Sequence, residues 1–373
     1  MNYYMIVEPM IKNAYWCNKY IDGIRNEIHR IKGELIEIDF EHLSEITSYS
    51  KKNNHRPVVL VNCISEKWIY ECLSNLERHN IHPLLLAPWN VATSVSVSTI
   101  SFDFTYVFYS LCQYLFETSH NKIALFGVNP ISVNDMMKKD AFAMFKTDYG
   151  IDNSTDEGIF WNYGSLEKCC QTFYNKIKDY NSVICTNDVV AVKLINYLKT
   201  KNVSVPKKIY VATIGNTILS EFITPSITVA KFDCVLIGKQ SVKLYTMLTR
   251  NSEMSSISAK ISSEIYPRES TENCKVSIMP RSNFQQKKTD EINFYSDTDV
   301  SNIFDTENLV SNCDDLDFKI LYGMICDKRL TVLANELYTT ENTIKYRIKR
   351  MLNLTGTASR KELINLFTNL CGF

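Results

Sequence analysis

Short apolar runs alternate with longer amphipathic segments along the first two thirds of the chain. The apolar runs are rich in β-branched and aromatic residues and mostly lack strict alternation, which is typical of buried strands in a parallel sheet. They cover residues 3–7, 34–40, 57–63, 83–87, 95–101, 122–128, 158–161, 182–186 and 208–214. Segments with helical spacing lie between them, at residues 15–31, 65–79, 106–117, 132–148, 166–178 and 189–201. The alternation predicts a doubly wound α/β architecture, and because nine runs exceed one ordinary sheet, two α/β lobes are expected.

The pattern changes near the C-terminus, in the stretch RLTVLANELYTTENTIKYRIKRML at 329–352. Apolar residues at i, i+3, i+4 and i+7 predict a first short helix, and they are Leu330, Leu333, Ala334 and Leu337. A three-residue break follows, and its last residue, Thr340, is a suitable N-cap because its hydroxyl can accept a hydrogen bond from an unpaired backbone N–H. The second helix would bury Ile344, Ile348, Met351 and Leu352. Two short helices separated by a tight turn predict a helix-turn-helix.

The other face of the second helix carries amide, hydroxyl and basic side chains. Such side chains can read base edges when a helix enters the major groove. We expect groove contacts from Asn342, Thr343, Lys345, Tyr346 and Lys349. Phosphate contacts are expected from Thr340, Arg347 and Arg350, at the start and on the flanks of the helix. The alternative is that this basic face is only a solvated helix surface.

The net charge of the 373-residue chain is zero, but the charge is unevenly distributed. Residues 290–315 contain eight acidic residues and neither lysine nor arginine, whereas residues 316–373 contain nine basic against five acidic residues. Such a break is typical of a linker followed by a separate module. We therefore predict an acidic linker at 276–315, with room for a short helix, and an all-α helix-turn-helix domain at 316–373.

The composition, with 45% hydrophobic and 22% charged residues, is that of an ordinary globular protein. The 12 cysteines form no CxxC pair and no Cys/His spacing suited to zinc, so reduced structural thiols and a cytoplasmic location are expected. The start of the sequence, MNYYMIVEPM, lacks the features of a signal peptide, and no apolar run is long enough to span a membrane. Neither a metal nor a cofactor is expected.

Catalytic motifs are absent from the sequence. It contains no Gly-rich phosphate loop of either standard form, no GxSxG nucleophile elbow and no HExxH zinc motif. The six histidines show no spacing suited to a metal pair. We therefore expect that the chain is not an enzyme, and no catalytic residues are predicted.

Residues 182–233 carry a resemblance to a known family. A strand ending in Asn187-Asp188, the V-x-V-P turn at 203–206 and ITPSIT at 223–228 resemble the sensor domain of LacI/GalR-type repressors, which has the type I periplasmic-binding-protein fold. ETSHNKIALFGV (117–128) and SAKISSEIYPREST (258–271) fit the same pattern, so the resemblance covers about residues 1–275. It implies a ligand-sensor domain of two lobes joined by crossovers near 97–102, 229 and 252. Lobe 1 would contain about 1–98 and 231–252, and lobe 2 about 103–228 and 258–275.

The C-terminal stretch resembles a second family, the LuxR/GerE-type helix-turn-helix regulators. ENTIKYRIKRMLNLTG (341–356) is also similar to the helix-turn-helix of PucR-type regulators, and both resemblances imply DNA binding. The order of the domains departs from the LacI/GalR pattern. Those repressors carry an N-terminal DNA-binding domain and a hinge helix, whereas the first predicted strand here starts at Tyr3. Their hinge-helix contacts to DNA therefore cannot be assumed for this chain.

The resemblance to LacI/GalR-type sensors also implies an effector cleft between the lobes, lined by a few polar and aromatic residues. Asn187 falls on a position that binds sugar or purine effectors in the family, and its alternative role is to cap a helix. Tyr163 falls near an aromatic position of the cleft and could equally be ordinary packing. Tyr15 and Trp16, after the first strand, could wall the cleft from lobe 1 or belong to the packing face of the first helix.

Two positions of the predicted cleft depart from the sugar-binding pattern. Lys138 stands where sugar-binding members carry an arginine, and lysine cannot make the planar bidentate contact. Gly215-Asn216 stands where the usual pair is Asp-Asp or Asp-Asn, so a carboxylate acceptor is missing. The effector is then either different from a common sugar, for example an anion met by Lys138, or the cleft no longer binds a small molecule.

The leading hypothesis is an effector-responsive transcription regulator that binds DNA as a homodimer and has no membrane partner. Its effector would be a sugar, a nucleoside or an organic anion. One alternative is a regulator whose sensor domain has lost small-molecule binding and acts through protein–protein contacts. A second alternative is the solute-binding protein of a transporter, which requires export and would leave the helix-turn-helix without a use.

Overall fold

The computed structural model describes residues 1–89, 94–151, 157–215, 217–275 and 297–371. The described strands are β1 (Asn2–Val7), β2 (Glu34–Glu37), β3 (Val58–Asn62), β4 (His82–Leu85), β5 (Ser98–Phe102), β6 (Ile123–Val128), β7 (Ile159–Trp161), β8 (Ser182–Cys185), β9 (Tyr210–Gly215), β10 (Thr228–Lys231), β11 (Ser258–Ile261) and β12 (Glu264–Tyr266). Each of the nine predicted runs overlaps one of the strands β1 to β9, so that prediction is confirmed.

The described helices connect these strands and then form a separate C-terminal group. They are α1 (Tyr15–Arg30), α2 (Leu43–Asn53), α3 (Glu66–Arg78), α4 (Phe104–Glu117), α5 (Val133–Asp148), α6 (Leu166–Asn175), α7 (Asp188–Thr200), α8 (Leu219–Phe222), α9 (Cys234–Arg250), α10 (Thr298–Ser311), α11 (Asp315–Ile325), α12 (Leu330–Glu336), α13 (Glu341–Thr355) and α14 (Arg360–Cys371). The chain divides into two units, Met1–Ser282 and Asn283–Phe373.

The first unit contains two six-stranded sheets, one in each lobe. The order in the first lobe is β11-β5-β4-β3-β1-β2, and in the second lobe it is β12-β10-β9-β8-β6-β7. All pairings are parallel except that of β12 with β10. The central strands β3 and β6 are buried along their whole length, which explains their continuous apolar sequences. The predicted α/β fold with two lobes is confirmed.

The chain crosses between the lobes three times, after β5, after β10 and after β11. The first two crossovers agree with the sequence prediction. The third does not, because Ser258–Ile261 pairs with β5 in the first lobe, whereas the prediction assigned 258–275 to the second lobe. The chain therefore returns to the second lobe only between Ile261 and Glu264. Local sequence could not show this, since a short half-buried strand can join the edge of either sheet.

Aromatic rings connect the two lobes at these crossovers. The Phe102 ring, at the end of β5, stacks on the Phe232 ring, which follows β10, with centroids 3.8 Å apart. Phe104, at the start of α4, meets Phe232 edge to face at 5.2 Å. All three side chains are buried in a cluster that contains residues of both lobes. The hinge region of the first unit is thus a packed apolar core.

Helices α1 and α9 of the first lobe cross at unusually short distance. A Cβ atom at Gly23 would lie 2.2 Å from the backbone oxygen of Val235, and one at Gly238 would lie 2.2 Å from that of Tyr20. Only glycine allows this approach of the two backbones. The crossing fixes α9, which follows the second crossover, against the N-terminal helix of the same lobe.

The second unit contains five described helices around one core. Leu309 of α10, Ile320 of α11, Leu333 of α12, Ile344 of α13 and Leu363 of α14 are all buried in it. Helix α10 therefore corrects the predicted linker at 276–315, since residues 298–311 belong to the C-terminal core. Of the acidic residues in α10, Asp299 and Glu307 are exposed and Asp305 is partly exposed, and few positions of this polar helix are buried. Residues 276–296 of the predicted linker lie outside the described residues.

Candidate functional site

The two short helices predicted for residues 329–352 are present as α12 and α13, with a tight turn between them. Thr340 caps α13 and its Oγ1 accepts a hydrogen bond from the backbone N–H of Thr343 at 3.2 Å. Tyr338, in the turn, has a left-handed backbone with φ of 52° and a side chain that is 98% exposed. Gly356 ends α13 with φ of 66°. The sequence signals for the start and break of these helices are local, and the structure agrees with them.

One face of α13 is buried against the rest of the second unit. Ile344, Ile348 and Met351 are at most 2% exposed, and Leu352 is partly buried against the same core. Each of the four other described helices of the unit packs directly on α13. This packing orients the opposite face of α13 toward solvent.

The solvent-facing side of α13 carries most of the predicted groove contacts. Asn342, Lys345, Tyr346 and Lys349 are exposed, and Thr343 is partly exposed. The Lys345 ammonium lies 3.5 Å from the Glu341 carboxylate one turn earlier, in an exposed ion pair that contributes little to stability. Tyr346 is 70% exposed. The side chains of this surface can therefore reach a ligand without rearrangement of the helix.

Arg347 and Arg350 are engaged by carboxylates of α11. Arg347 donates hydrogen bonds to both oxygens of Asp314 at 2.8 Å and to Asp317 Oδ1 at 3.0 Å. Arg350 donates to Asp317 and, at 3.0 Å, to the backbone oxygen of Asn312. The guanidinium groups of both arginines thus link α13 to the start of α11, and their contacts to phosphates stay a prediction. The partners lie about 30 residues earlier in the chain, so helical spacing could not reveal them.

Asp314 and Asp317 also form a capping box at the start of α11. The Asp314 carboxylate accepts from the backbone N–H of Asp317, and the Asp317 carboxylate accepts from the backbone N–H of Asp314. The hydrogen bond from Arg347 is the main reason that the pKa of Asp314 falls to about 2. The Asp314 carboxylate thus remains charged at neutral pH and holds Arg347.

Lys138, one of the predicted effector residues, is buried in the second lobe. Its Nζ donates to Asp135 Oδ1 at 2.9 Å and to the backbone oxygen of Thr186 at 2.7 Å. The ammonium also lies 5.2 Å from the centroid of the Phe104 ring. Lys138 is only 5% exposed, and a role toward an effector stays a prediction for it. A buried ammonium requires such partners because desolvation without them is costly.

Asn187 lies next to the Lys138 site, at the carboxyl end of β8. Its Oδ1 accepts from the backbone N–H of Val190 at 3.1 Å, so the helix-cap role considered from the sequence is confirmed. The side chain is nevertheless exposed at the end of the strand. A role toward an effector therefore stays a prediction for Asn187.

The space beside Gly215, which has no side chain, is filled by a carboxylate. The Asp188 carboxylate packs against Gly215, where a Cβ atom would lie 2.3–2.5 Å from its atoms. Asp188 Oδ2 accepts from the backbone N–H of Thr217 at 2.6 Å. The Asp188 carboxylate therefore fills the space beside Gly215 and fixes the backbone at Thr217. The other member of the predicted pair, Asn216, lies outside the described residues.

The three aromatic candidates for the effector cleft do not converge. Tyr163 is 78% exposed and lines a cavity of about 560 Å³ that lies within the second lobe, beside the edge strand β7. Tyr15 is exposed at the start of α1, and Trp16 packs on Tyr20, with ring centroids 5.3 Å apart. Among the described residues, no hydrogen bond or ring contact joins these three side chains to Lys138 or Asn187. The packing role considered for Trp16 is confirmed.

Sequence patterns did not point to Glu8, a buried carboxylate at the carboxyl end of β1. It accepts hydrogen bonds from the backbone N–H groups of Ile64 and Ser65 at 2.8 and 3.1 Å, and from the hydroxyl of Ser65. The available signal was an acidic residue directly after a buried strand of an α/β lobe, at the edge where ligands bind. Its partners lie after β3 and could be found only in the folded chain.

The described residues contain no group of three or more His, Cys, Asp or Glu side chains that could hold a metal ion. None of the helices in the described ranges is long and apolar enough to cross a membrane.

Comparison with known proteins agrees with this architecture. Residues 112–271 match the family described as periplasmic binding protein-like domain. The chain is 26% identical over 182 residues to the NTD biosynthesis operon regulator NtdR of Bacillus subtilis (strain 168). That match covers 48% of this chain and 55% of the relative, so it spans about half the length of the curated protein.

Solved structures of similar fold cover about three quarters of the chain. A complex of the transcriptional regulator CelR with cellobiose has a TM-score of 0.61 at 13% identity, covering 72% of this chain and 84% of that chain. A LacI family transcriptional regulator from Enterococcus faecium with bound ribose has a TM-score of 0.57 at 19% identity, covering 74% and 100%. The first unit therefore has the periplasmic-binding-protein-like fold of LacI-type sensor domains. These relatives are regulators rather than enzymes, in agreement with the sequence prediction.

Proposed function

We propose that the chain is a transcription regulator that binds DNA through α13 and responds to an effector through its two-lobed first unit. The observation that supports DNA binding most directly is the row Asn342, Lys345, Tyr346 and Lys349 on the exposed face of a helix whose other face is buried. The named relative and the solved neighbours are regulators, which supports the same function. A regulator of this kind would act in the cytoplasm.

The chemistry of the α13 surface suits a major groove. The Asn342 amide can donate to and accept from an adenine edge, and the lysines can meet guanine or phosphate oxygens. We expect Thr340 to contact a DNA phosphate, because it is exposed at the N-terminus of α13, where the helix dipole favours phosphate. Arg347 and Arg350 are left out of the proposed interface, since α11 engages them.

The test replaces Lys345 and Lys349 together by alanine. We expect weaker binding to a labelled duplex of mixed sequence, with a salt dependence whose slope flattens by about 1 for each phosphate that is no longer neutralised. Fluorescence anisotropy at several salt concentrations measures both quantities. A matched control replaces Lys319 and Lys361, two exposed lysines of the same unit outside α13, and should change affinity much less. Unchanged low-salt binding by the Lys345/Lys349 variant would exclude α13 as the reader.

The effector of the proposed sensor would be a sugar, a nucleoside or an organic anion. The cellobiose and ribose named with the solved neighbours support the first class. The burial of Lys138 favours the alternative in which the cleft has lost small-molecule binding and the unit acts through protein contacts. A thermal-shift screen separates the two, because a ligand of the native state stabilises by about 2.7 kcal/mol at 100 times its Kd. A single clear stabiliser would support a metabolite sensor, and a flat screen would support the alternative.

We propose further that the regulator is a homodimer. Two recognition helices reading half-sites about one helical turn apart give more specificity than one short helix. The second lobe carries an exposed apolar surface on α7 and α8, which contact each other. It consists of Val189, Ile218, Leu219 and Phe222, and we call it the α7–α8 patch. Neighbouring exposed apolar side chains of this kind are typical of protein–protein interfaces.

A further inference from the structure

Two loops of opposite lobes are hydrogen-bonded to each other across the first unit. One follows β3 in the first lobe, and the other follows β6 in the second lobe. The backbone N–H of Val133 donates to the Ile64 oxygen at 3.0 Å, and that of Glu66 donates to the Ile131 oxygen at 3.4 Å. The bonds flank an antiparallel bridge between Ser65 and Ser132. We call residues 64–66 and 131–133 the latch.

The first-lobe half of the latch is held by Glu8. This side chain is 2% exposed, and its carboxylate accepts the three hydrogen bonds from Ile64 and Ser65 given above. A buried carboxylate is stable only when such donors surround it. Glu8 therefore stabilises the conformation of the 64–66 loop.

The second-lobe half is held by Asp135. Its Oδ2 accepts from the backbone N–H of Asn129 at 3.0 Å, and its own backbone N–H donates to the Ser132 hydroxyl at 3.3 Å. Its Oδ1 accepts from Lys138 at 2.9 Å. Lys138, the residue predicted to meet the effector, thus belongs to the support of the latch.

Packing and position strengthen the latch. The Val133 side chain, from the second lobe, packs against a buried cluster formed entirely by first-lobe residues. Ser65 and Ser132 are both buried. The crossovers leave from β5, β10 and β11 near one edge of each sheet, whereas the latch loops follow β3 and β6, farther from that edge. Contacts away from a hinge must break when the lobes open.

We infer that the latch holds the two lobes closed without an effector, so that the regulator switches by opening this contact. The inference rests on the proposed function of the first unit as a sensor. Closure here is carried by main-chain hydrogen bonds and two buried carboxylates of the protein itself. An effector would then act by stabilising an open or altered arrangement, and a group that draws Lys138 away from Asp135 would loosen the second-lobe half.

The two donors of the latch allow an unusually selective test. Glu66 is the first residue of α3 and Val133 the first residue of α5, where a helix leaves the backbone N–H without an intrahelical partner. Proline is well tolerated at this position, and the preceding residues, Ser65 and Ser132, already have the extended backbone that proline requires. Glu66→Pro therefore removes one interlobe hydrogen bond, and Val133→Pro removes the other together with the packing of the Val133 side chain. Both variants leave the two helices intact.

Hydrogen exchange of the full-length protein without effector, read at single amides, tests the latch. In the wild type, the Glu66 and Val133 amides should exchange about tenfold or more slowly than the Leu166 amide, which has the same position at the start of α6. Each proline variant should release the remaining latch amide to the rate of Leu166. Glu8→Gln, which alters neither helix, should accelerate both. Leu166→Pro is the matched control and should leave both latch amides protected.

Three outcomes would overturn the inference. They are wild-type latch amides as fast as Leu166, a remaining amide still protected in both proline variants, and loss of latch protection in the Leu166→Pro control. Binding of the wild type to a labelled duplex of mixed sequence is measured in parallel. Unprotected latch amides with retained DNA binding would refute the latch alone. Protected latch amides without DNA binding would refute the proposed function alone.

Discussion

At the scale of single residues, His82 shows how burial decides a charge state. It lies in the first lobe, where Arg56 donates to its Nδ1 at 2.9 Å and its Nε2 lies 2.7 Å from the Ser98 hydroxyl. The Ser98 oxygen also accepts from the backbone N–H of Ile257, just before β11. Because arginine can only donate, Nδ1 accepts and the ring is neutral. The pKa of His82 is lowered to about 4, mainly by burial and secondly by the charge of Arg56.

Because the pKa of His82 is lowered, we expect the free energy of unfolding of the first unit to fall in mild acid. The unfolded chain protonates His82 near pH 6.5, whereas the folded chain does so only near pH 4. The stabilisation is therefore complete above about pH 6.5 and is lost as the pH falls to about 4, with a maximum of about 3 kcal/mol. Urea unfolding at several pH values should show this slope and its loss in His82→Gln. His79→Gln, at an exposed histidine, should keep it, and an unchanged slope in His82→Gln would contradict the prediction.

At the scale of elements, an ionic network holds helix α13 against the start of α11. Asp317 is fully buried, accepts from both Arg347 and Arg350, and also caps α11. Gly323, less than two helical turns later, lets α11 approach α12, since a Cβ atom there would lie 2.2 Å from the Leu333 side chain. The exposed face of α13 is thus oriented through Asp317, which is itself buried.

Asp317→Ala should destabilise the second unit by about 3 kcal/mol, because it leaves two partly buried guanidinium groups without their shared carboxylate. DNA affinity should fall with it, since α13 loses its lateral support. Urea unfolding followed by far-UV circular dichroism measures the first effect, and anisotropy with a labelled duplex measures the second. Asp315→Ala removes an exposed carboxylate from the same helical turn and should change stability by less than about 0.5 kcal/mol. Equal losses in both variants would refute a specific role for Asp317.

At the scale of the whole molecule, the chain combines two units with separate cores. The first is a two-lobed α/β unit with a packed hinge, and the second is an all-α unit built around α13. The α7–α8 patch lies on the second lobe of the first unit, so the proposed dimer contact and the proposed DNA contact belong to different units. Dimerisation through this patch would place two copies of α13 in one assembly.

Phe222→Asp should convert the proposed dimer into a monomer. The side chain is 78% exposed, so a carboxylate there leaves the fold unchanged but cannot be buried in an apolar contact without a large desolvation cost. Sedimentation velocity should show the change in mass, and duplex affinity should drop at least about tenfold because a monomer can bind only one half-site. Tyr106→Asp, at an exposed aromatic residue of α4 in the same lobe, should remain dimeric. A monomeric wild type, or a dimeric Phe222→Asp, would contradict the prediction.

The sequence alone determined those elements whose signal is contained in a few neighbouring residues. The strands β1 to β9, the break before Thr340 and the buried face of α13 all follow from spacing and capping within a few residues. Tertiary structure decided which elements pack on the buried faces and which charged side chains pair with each other. It placed β11 in the first sheet and α10 in the C-terminal core. It also brought Arg347 and Arg350 of α13 into contact with the carboxylates at the start of α11, and Lys138 into contact with Asp135. Periodicity reports that a position is buried or exposed, but the partner of a charged side chain comes from a distant segment, which only the folded chain brings near.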